Sequence, residues 1–368
     1  MIGKKAVALI AAVAVAAALL AALAFPPSAS ADGHTIRANI NKDCSSAPWF
    51  VGVQKGYFEA YDVNVVDRGS LLYSLQPAAL AGGQTDVIDA SPATVIHMLL
   101  SGAKVKGVAL SGASPEEIGN KVEGDMHWLV LNSSKYHNVQ DLVAGGNVPR
   151  IGVSMPGFCM EIDADGWYED NGIEMGSFEF VVIPDPHLED SLRQGLIDVA
   201  VLPQSFYTVV EPRGGVRPIS TSLDPSGSLG ETSLILFTED FIEKNPDAVR
   251  AFVQAYKGAE RWANDHPHEA EGITAHAVGL HHVTSHRYSD SGKITDEVLQ
   301  PWIDAMVMDG TIAAGEVEPS DLYTTEFGDL WENSTGPQPL DPFPALPHES
   351  AHALGGTEFH AVRARPSE

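Results

Sequence analysis

Short β-branched apolar runs alternating with segments of helical period constrain this chain more than any other feature. The runs are "HTIRANI", "YDVNVVDR", "TDVIDA", "VKGVALSG", "HWLVLNS", "PRIGVS", "FEFVVIP", "IDVAVLP", "VRPIST" and "TSLILFT". Among them lie "APWFVGVQKGYF", "SLLYSLQPAALAGG", "PATVIHMLLSGA", "NVQDLVAGG", "CMEIDADGWYEDNG", "HLEDSLRQGL" and "QSFYTVVEP". A parallel strand needs a crossover to return, so this alternation predicts α/β layers around a largely parallel sheet. Glycines at 82–83, 102, 145–146, 172 and 195 stand where such helices should stop. From Glu239 the pattern is helical only, punctuated at Asn245-Pro246 and His266-Pro267. From Ser334 the chain is rich in Pro and small residues without periodicity, and a poorly ordered tail over 334–368 is expected.

The first 31 residues read as a leader: Lys4 and Lys5, an apolar run from Ala6 to Phe25, then Ala29-Ser30-Ala31 as a small-residue cleavage site. Cleavage after Ala31 would give an exported, periplasmic or cell-surface protein. The same run is nearly long enough to remain as an uncleaved anchor. The net charge of −27 argues against nucleic acid as a partner, because phosphate binding needs clustered Lys and Arg. Two cysteines, Cys44 and Cys159, are too few for a disulfide framework, so the core must stabilise the chain.

The stretch "SSAPWFVGVQKGYFEAYDVNVV" shows what the alternation places where. Ser45 or Ser46 should cap a helix with Pro48 in its first turn, ending near Gly56 before a strand from Asp62. Ligands of parallel sheets bind beyond the carboxyl ends of strands, where helices begin. The chain from Ala47 to Leu110, with its PxxxxxxKGYF helix, DVNVV strand, Gly-Ser turn and AL-x-GGQ-x-DV step, resembles the first lobe of solute-binding proteins of ABC importers, in the nitrate/sulfonate/taurine and thiamine-precursor (NMT1/THI5-like) group. "WLVLNSSKYHNVQDLVAGGNVPRIGVSMPG" resembles that family's passage into its second lobe, and "TEDFIEKNPDAVRAFVQAYKGAERWANDHPHEA" its return helices. The resemblance runs from about Thr35 to Gly279 and departs from the family in lacking a lipobox, in its cysteine-bearing loop and in its His-bearing C-terminal region.

The resemblance implies an α/β, two-lobe periplasmic-binding-protein-like fold of type II, each lobe a mixed sheet flanked by helices. Lobe 1 would comprise 32–132 and 231–333, lobe 2 would be 133–230, and crossings near Leu129–Ser133 and Gly230–Leu234 would form the hinge. It also implies a monomeric binding component that captures a small organic solute and delivers it to a membrane permease, without catalysis or cofactor. Five loops should face the cleft. They carry Ser45, Ser46 and Trp49; Arg68, Ser70 and Tyr73; Asp89, Ser91 and Thr94; Gly157, Phe158 and Cys159; and Gln204 and Tyr207. Aromatic walls with a few polar groups suit a small ligand. Arg68 and the helix N-termini would suit a sulfonate-like anion, while the aromatics with Asp43, Asp89 and Glu161 suit a nitrogen heterocycle.

Two alternatives stand beside this reading. Cys44 and Cys159 on different lobes could grip a soft metal, whereas His281, His282, His286, His348, His352 and His360 are too loosely spaced for a metal motif. A THI5-like pyrimidine-synthesis enzyme shares the implied fold, but the leader argues against it, and no G-x-S-x-G, Walker loop, HExxH or C-x-x-C occurs.

Overall fold

The computed structural model describes residues 33–42, 44–112, 126–144, 146, 148–154, 177–221, 232–279, 283 and 286–331. Ten strands occupy the ten apolar runs: β1 His34–Ala38, β2 Val63–Asp67, β3 Val87–Ala90, β4 Val105–Leu110, β5 Met126–Leu131, β6 Arg150–Val153, β7 Glu179–Val182, β8 Val199–Pro203, β9 Val216–Thr221 and β10 Leu234–Thr238. They form two five-stranded sheets of one design, β2-β1-β3-β10-β4 and β7-β6-β8-β5-β9. In the first, β1 runs parallel to β2 and β3, and β10 is antiparallel to both β3 and β4. In the second, β6 is parallel to β7 and β8, and β5 is antiparallel to β8 and β9. Each sheet is thus mixed, with one reversed strand inserted beside the parallel set.

One boundary differs from expectation. Met126–Leu131 was expected at the end of lobe 1, with a crossing at Leu129–Ser133. Leu129 instead pairs with Ala200 and Pro218 inside the second sheet. The chain therefore changes sheets between Gly112 and Met126, a stretch outside the described residues, as is the return at 222–231. The leader and the tail also lie outside them. Among the described residues no helix is long and apolar enough to cross a membrane.

Helices cover the sheets as the pattern predicts: α1 Ala47–Gln54, α2 Tyr57–Ala60, α3 Gln76–Ala81, α4 Pro92–Leu100, α5 Val139–Val143, α6 Asp185–Arg193, α7 Gln204–Val210, α8 Glu239–Lys244, α9 Pro246–Asp265, α10 Pro267–Val278, α11 Asp296–Met308 and α12 Pro319–Leu322. The first helix ends where expected: Gly56 takes the left-handed conformation (φ 75°), closing α1 and admitting the short α2 before β2. The long α9 dominates the core of the first sheet. Its Val249, Phe252, Val253, Tyr256, Ala259 and Ala263 are buried with Ile36, Val87 and Leu236 from the strands. Gly258 lets it lie close to α2, because a Cβ there would meet the Tyr57 ring at 2.8 Å. The second sheet buries Trp128, Val130, Ile151 and Val201 on one face and Leu129, Leu188, Ala200 and Leu202 on the other.

Candidate functional site

Strand direction brings the polar loops of the first sheet to one edge. The carboxyl ends of β1, β2 and β3 lie together, and because Leu234 pairs with both Ala90 and Leu110, the start of β10 and the end of β4 join them. Beyond β1, a 3-10 turn at Cys44–Ser46 leads into α1, and beyond β2 a 3-10 turn at Tyr73–Leu75 leads into α3. These two loops are stitched to each other. The Ser45 Oγ and Tyr73 hydroxyl lie 3.0 Å apart. Ser70 donates to the Ile40 carbonyl at 3.2 Å, and the Asn41 side chain accepts from the Leu71 N–H at 3.0 Å. Arg68 is exposed on the same rim, held through its backbone N–H to Ala38. After β3, Ser91 caps α4 by accepting from the Thr94 N–H at 3.3 Å, and its Oγ lies 3.1 Å from the Thr94 hydroxyl. Ser45, Ser70, Tyr73, Asp89, Ser91 and Thr94 therefore gather at one sheet edge.

Other expected site residues fall elsewhere. Trp49 is 8% exposed and lies in the core, its ring 5.9, 5.4 and 4.9 Å from those of Phe58, Phe252 and Tyr256. The helix turns it toward α9 instead of the crevice, so it is a packing residue. Ser46 is buried, and its side chain does not cap α1. On the second sheet, Gln204 opens α7, and Tyr207 stacks 4.1 Å from the buried His127 while its hydroxyl donates to Glu211 at 3.2 Å. Met126 pairs with Pro203, which sets His127 and Tyr207 near the carboxyl end of β8. Gly157, Phe158 and Cys159 lie outside the described residues, as do Asp43, Glu161, His281, His282 and the tail histidines. Among the described residues no group of three His, Cys, Asp or Glu side chains could hold a metal ion.

Sequence reasoning missed a buried polar cluster below this edge. Lys257 of α9 donates to the Leu110 carbonyl at 3.0 Å, to the Ser289 carbonyl at 2.7 Å and to Glu260. Glu260 also accepts from the Ser111 hydroxyl at 2.6 Å. Gly292 has φ of +71°, and a Cβ there would meet the Lys257 stem at 2.8 Å, so glycine is required for the segment over β4 to close on the lysine. The neighbouring Tyr288 donates to the Ser45 carbonyl at 3.2 Å and lies edge-on to His286, which ties the cluster to the Ser45–Tyr73 rim. The signal was present in α9: Val249, Val253, Tyr256, Glu260 and Ala263 follow one helical stripe, and a glutamate on a core stripe needs a buried partner.

Burial pushes the Glu260 carboxyl up to about 7, with Lys257 and Ser111 opposing the rise. Burial likewise raises Asp89, against the Ser111 and Ser233 hydroxyls and the more distant His286 and Lys257. Between the ordinary glutamate value of 4.5 and about 7 the folded protein holds more protons than the unfolded chain. Stability is therefore expected to fall as pH rises through that window and to level off above it. Thermal unfolding followed from pH 5 to 8 checks this; a melting temperature that does not fall through the window would mean that Glu260 ionises at its ordinary value in the folded protein.

Two mixed sheets of this order, each flanked by helices, define the periplasmic-binding-protein fold. Solved structures of that fold align over nearly their whole length. The ligand-binding component of an ABC-type import system from Staphylococcus aureus, solved with zinc bound, matches with a TM-score of 0.65 at 13% identity, covering 83% of this chain and 100% of that one. The periplasmic nitrate-binding protein NrtA from Synechocystis PCC 6803 matches at 0.65 and 14% identity, covering 82% and 88%. The periplasmic aliphatic sulphonate-binding protein SsuA from Escherichia coli matches at 0.60 and 14%, covering 91% and 98%. No curated protein sequence matches significantly. The family model described as NMT1/THI5 like matches residues 43–270, and the chain belongs to that family.

Proposed function

We propose that this protein is the extracytoplasmic solute-binding component of an ABC importer. It captures a small organic solute, a nitrogen heterocycle or a sulfonate-like anion, and hands it to a membrane permease. The observation that carries this reading is the convergence of Ser45, Ser70, Tyr73, Asp89 and Ser91 at one sheet edge, in a chain whose second sheet repeats the plan of the first. Hydroxyls and helix starts at such an edge hold a ligand by oriented donors without supplying a nucleophile–base pair. Arg68 and Thr94 complete the first wall. Tyr207, backed by His127, stands on the second.

The expected leader and the binding role agree: a protein of this kind meets its solute outside the cytoplasm, as a monomer. The test is a thermal-shift panel of sulfonates, nitrate, thiamine precursors, amines and aromatic acids on the mature protein, followed by small-angle scattering. One chemical class should raise the melting temperature without turnover, and that solute should make the particle more compact. Catalytic conversion of a stabilising compound would overturn the reading, as would a panel without any stabilising member.

A further inference from the structure

Asp89 occupies the last turnable position of β3 before Ala90 and the Ser91 cap, where the first sheet meets the candidate site. Its residue surface is half-buried, yet its Oδ1 is shielded and has no hydrogen-bond partner among the described residues. Most donors close by have another commitment. Lys257 has three N–H groups and three acceptors: Leu110, Ser289 and Glu260. The single Ser111 proton goes to Glu260. Ser233 Oγ accepts from the Gly112 N–H at 2.8 Å and retains one proton for Asp89. Lys257 acts on Asp89 only through its charge, with no hydrogen bond to it. From the facing segment the remaining titratable group is His286, which bears on Asp89 from a distance.

We infer that Asp89 is the anchor for a basic nitrogen of the solute, and that binding exchanges the proton of its carboxyl for that nitrogen. This rests on the solute-binding reading above and names its ligand class. A shielded carboxylate with a single hydroxyl donor and no cation in contact is costly, whereas a neutral carboxyl needs only one acceptor. An arriving N–H supplies the missing donor to Oδ1 and the positive charge that stabilises the ionised form. The proton balance depends on the base. An amidinium or ammonium arrives already protonated, so the Asp89 proton leaves to solvent. A weak base such as an aminopyrimidine arrives neutral, and the carboxyl proton moves to its ring nitrogen with none released. A sulfonate or nitrate brings neither a proton nor a positive charge, so it can only accept from the neutral carboxyl and cannot drive its ionisation.

Two measurements on the mature protein test the assignment. Carboxyl ¹³C NMR should find Asp89 protonated at pH 7 before any probe is added; an ionised Asp89 there overturns the inference. Calorimetry in two buffers of different ionisation enthalpy should then be run with benzamidine, cyclohexylamine and 2-aminopyrimidine against methanesulfonate and nitrate. The strong bases should release about one proton on binding and the aminopyrimidine about none. Asp89→Asn, which keeps the shape but cannot ionise, should weaken the bases about tenfold or more without lowering the melting temperature. Bases that bind Asp89→Asn as they bind the parent overturn the inference. Anion binding that Asp89→Asn leaves untouched overturns it too, while leaving the solute-binding reading in place; a panel with no binder of either class removes both.

Discussion

Lys257→Met is expected to destabilise the protein by about 3–5 kcal/mol, the usual cost of removing one partner from a buried ion pair. The lysine is enclosed beside Glu260, and both are essentially inaccessible to solvent. Its loss strands Glu260 and deprives the Leu110 and Ser289 carbonyls of their donor, so the segment crossing β4 loses this tie to α9 and keeps those through Arg261 and Asn264. The diagnostic comparison is the double variant Lys257→Met with Glu260→Leu. Removing both charges abolishes the uncompensated one, and much of the lost stability should return. Urea unfolding of the two single variants and the double variant measures the coupling. A Lys257→Met protein within about 1 kcal/mol of the parent would mean that Glu260 is neutral and content without its partner.

Trp49→Ala should cost about 3–5 kcal/mol, as for other large-to-small changes in packed cores. The indole is surrounded by Phe58, Phe252 and Tyr256, so truncation leaves a void between α1 and α9 that rigid rings cannot fill. The affinity of the folded fraction for a solute should be nearly unchanged, because the ring does not face the sheet edge that carries Ser45 and Asp89. Denaturant unfolding together with calorimetry separates the two effects. Parent-like stability with weakened binding would return Trp49 to the pocket.

The contrast between these residues and the strands shows what the sequence carries openly. Each strand announces itself in a few contiguous residues: "VAVLP" is buried at every position, and its own Pro203 closes it where α7 begins. The cap at Ser91 is equally local, since Ser-Pro before an apolar run specifies where α4 starts. Trp49 is different. Whether it faces the crevice or the core depends on α9, a helix about two hundred residues later, and nothing within "SSAPWF" records that approach. "HWLVLN" is likewise a good strand in either sheet; its partners Ala200 and Pro218 decide which. Lys257 and Glu260 look like an exposed pair three residues apart, and only the stripe through Val249, Val253 and Tyr256 places the glutamate inward. Hydroxyls at strand ends were legible because strand direction alone assigns them to an edge.

The position of β10 has a consequence for how the chain is made. It fills the place between β3 and β4, although it is encoded after all five strands of the second sheet. During synthesis β1 to β4 emerge first but cannot close, because the ladder that joins β3 to β4 does not yet exist. The second sheet, contiguous from Met126 to Thr221, has all its partners as soon as it leaves the ribosome. The half translated first is therefore finished last. A nascent chain that stops before Leu234 carries a completed second sheet beside two unpaired strand edges, the state in which β-rich intermediates aggregate or recruit chaperones.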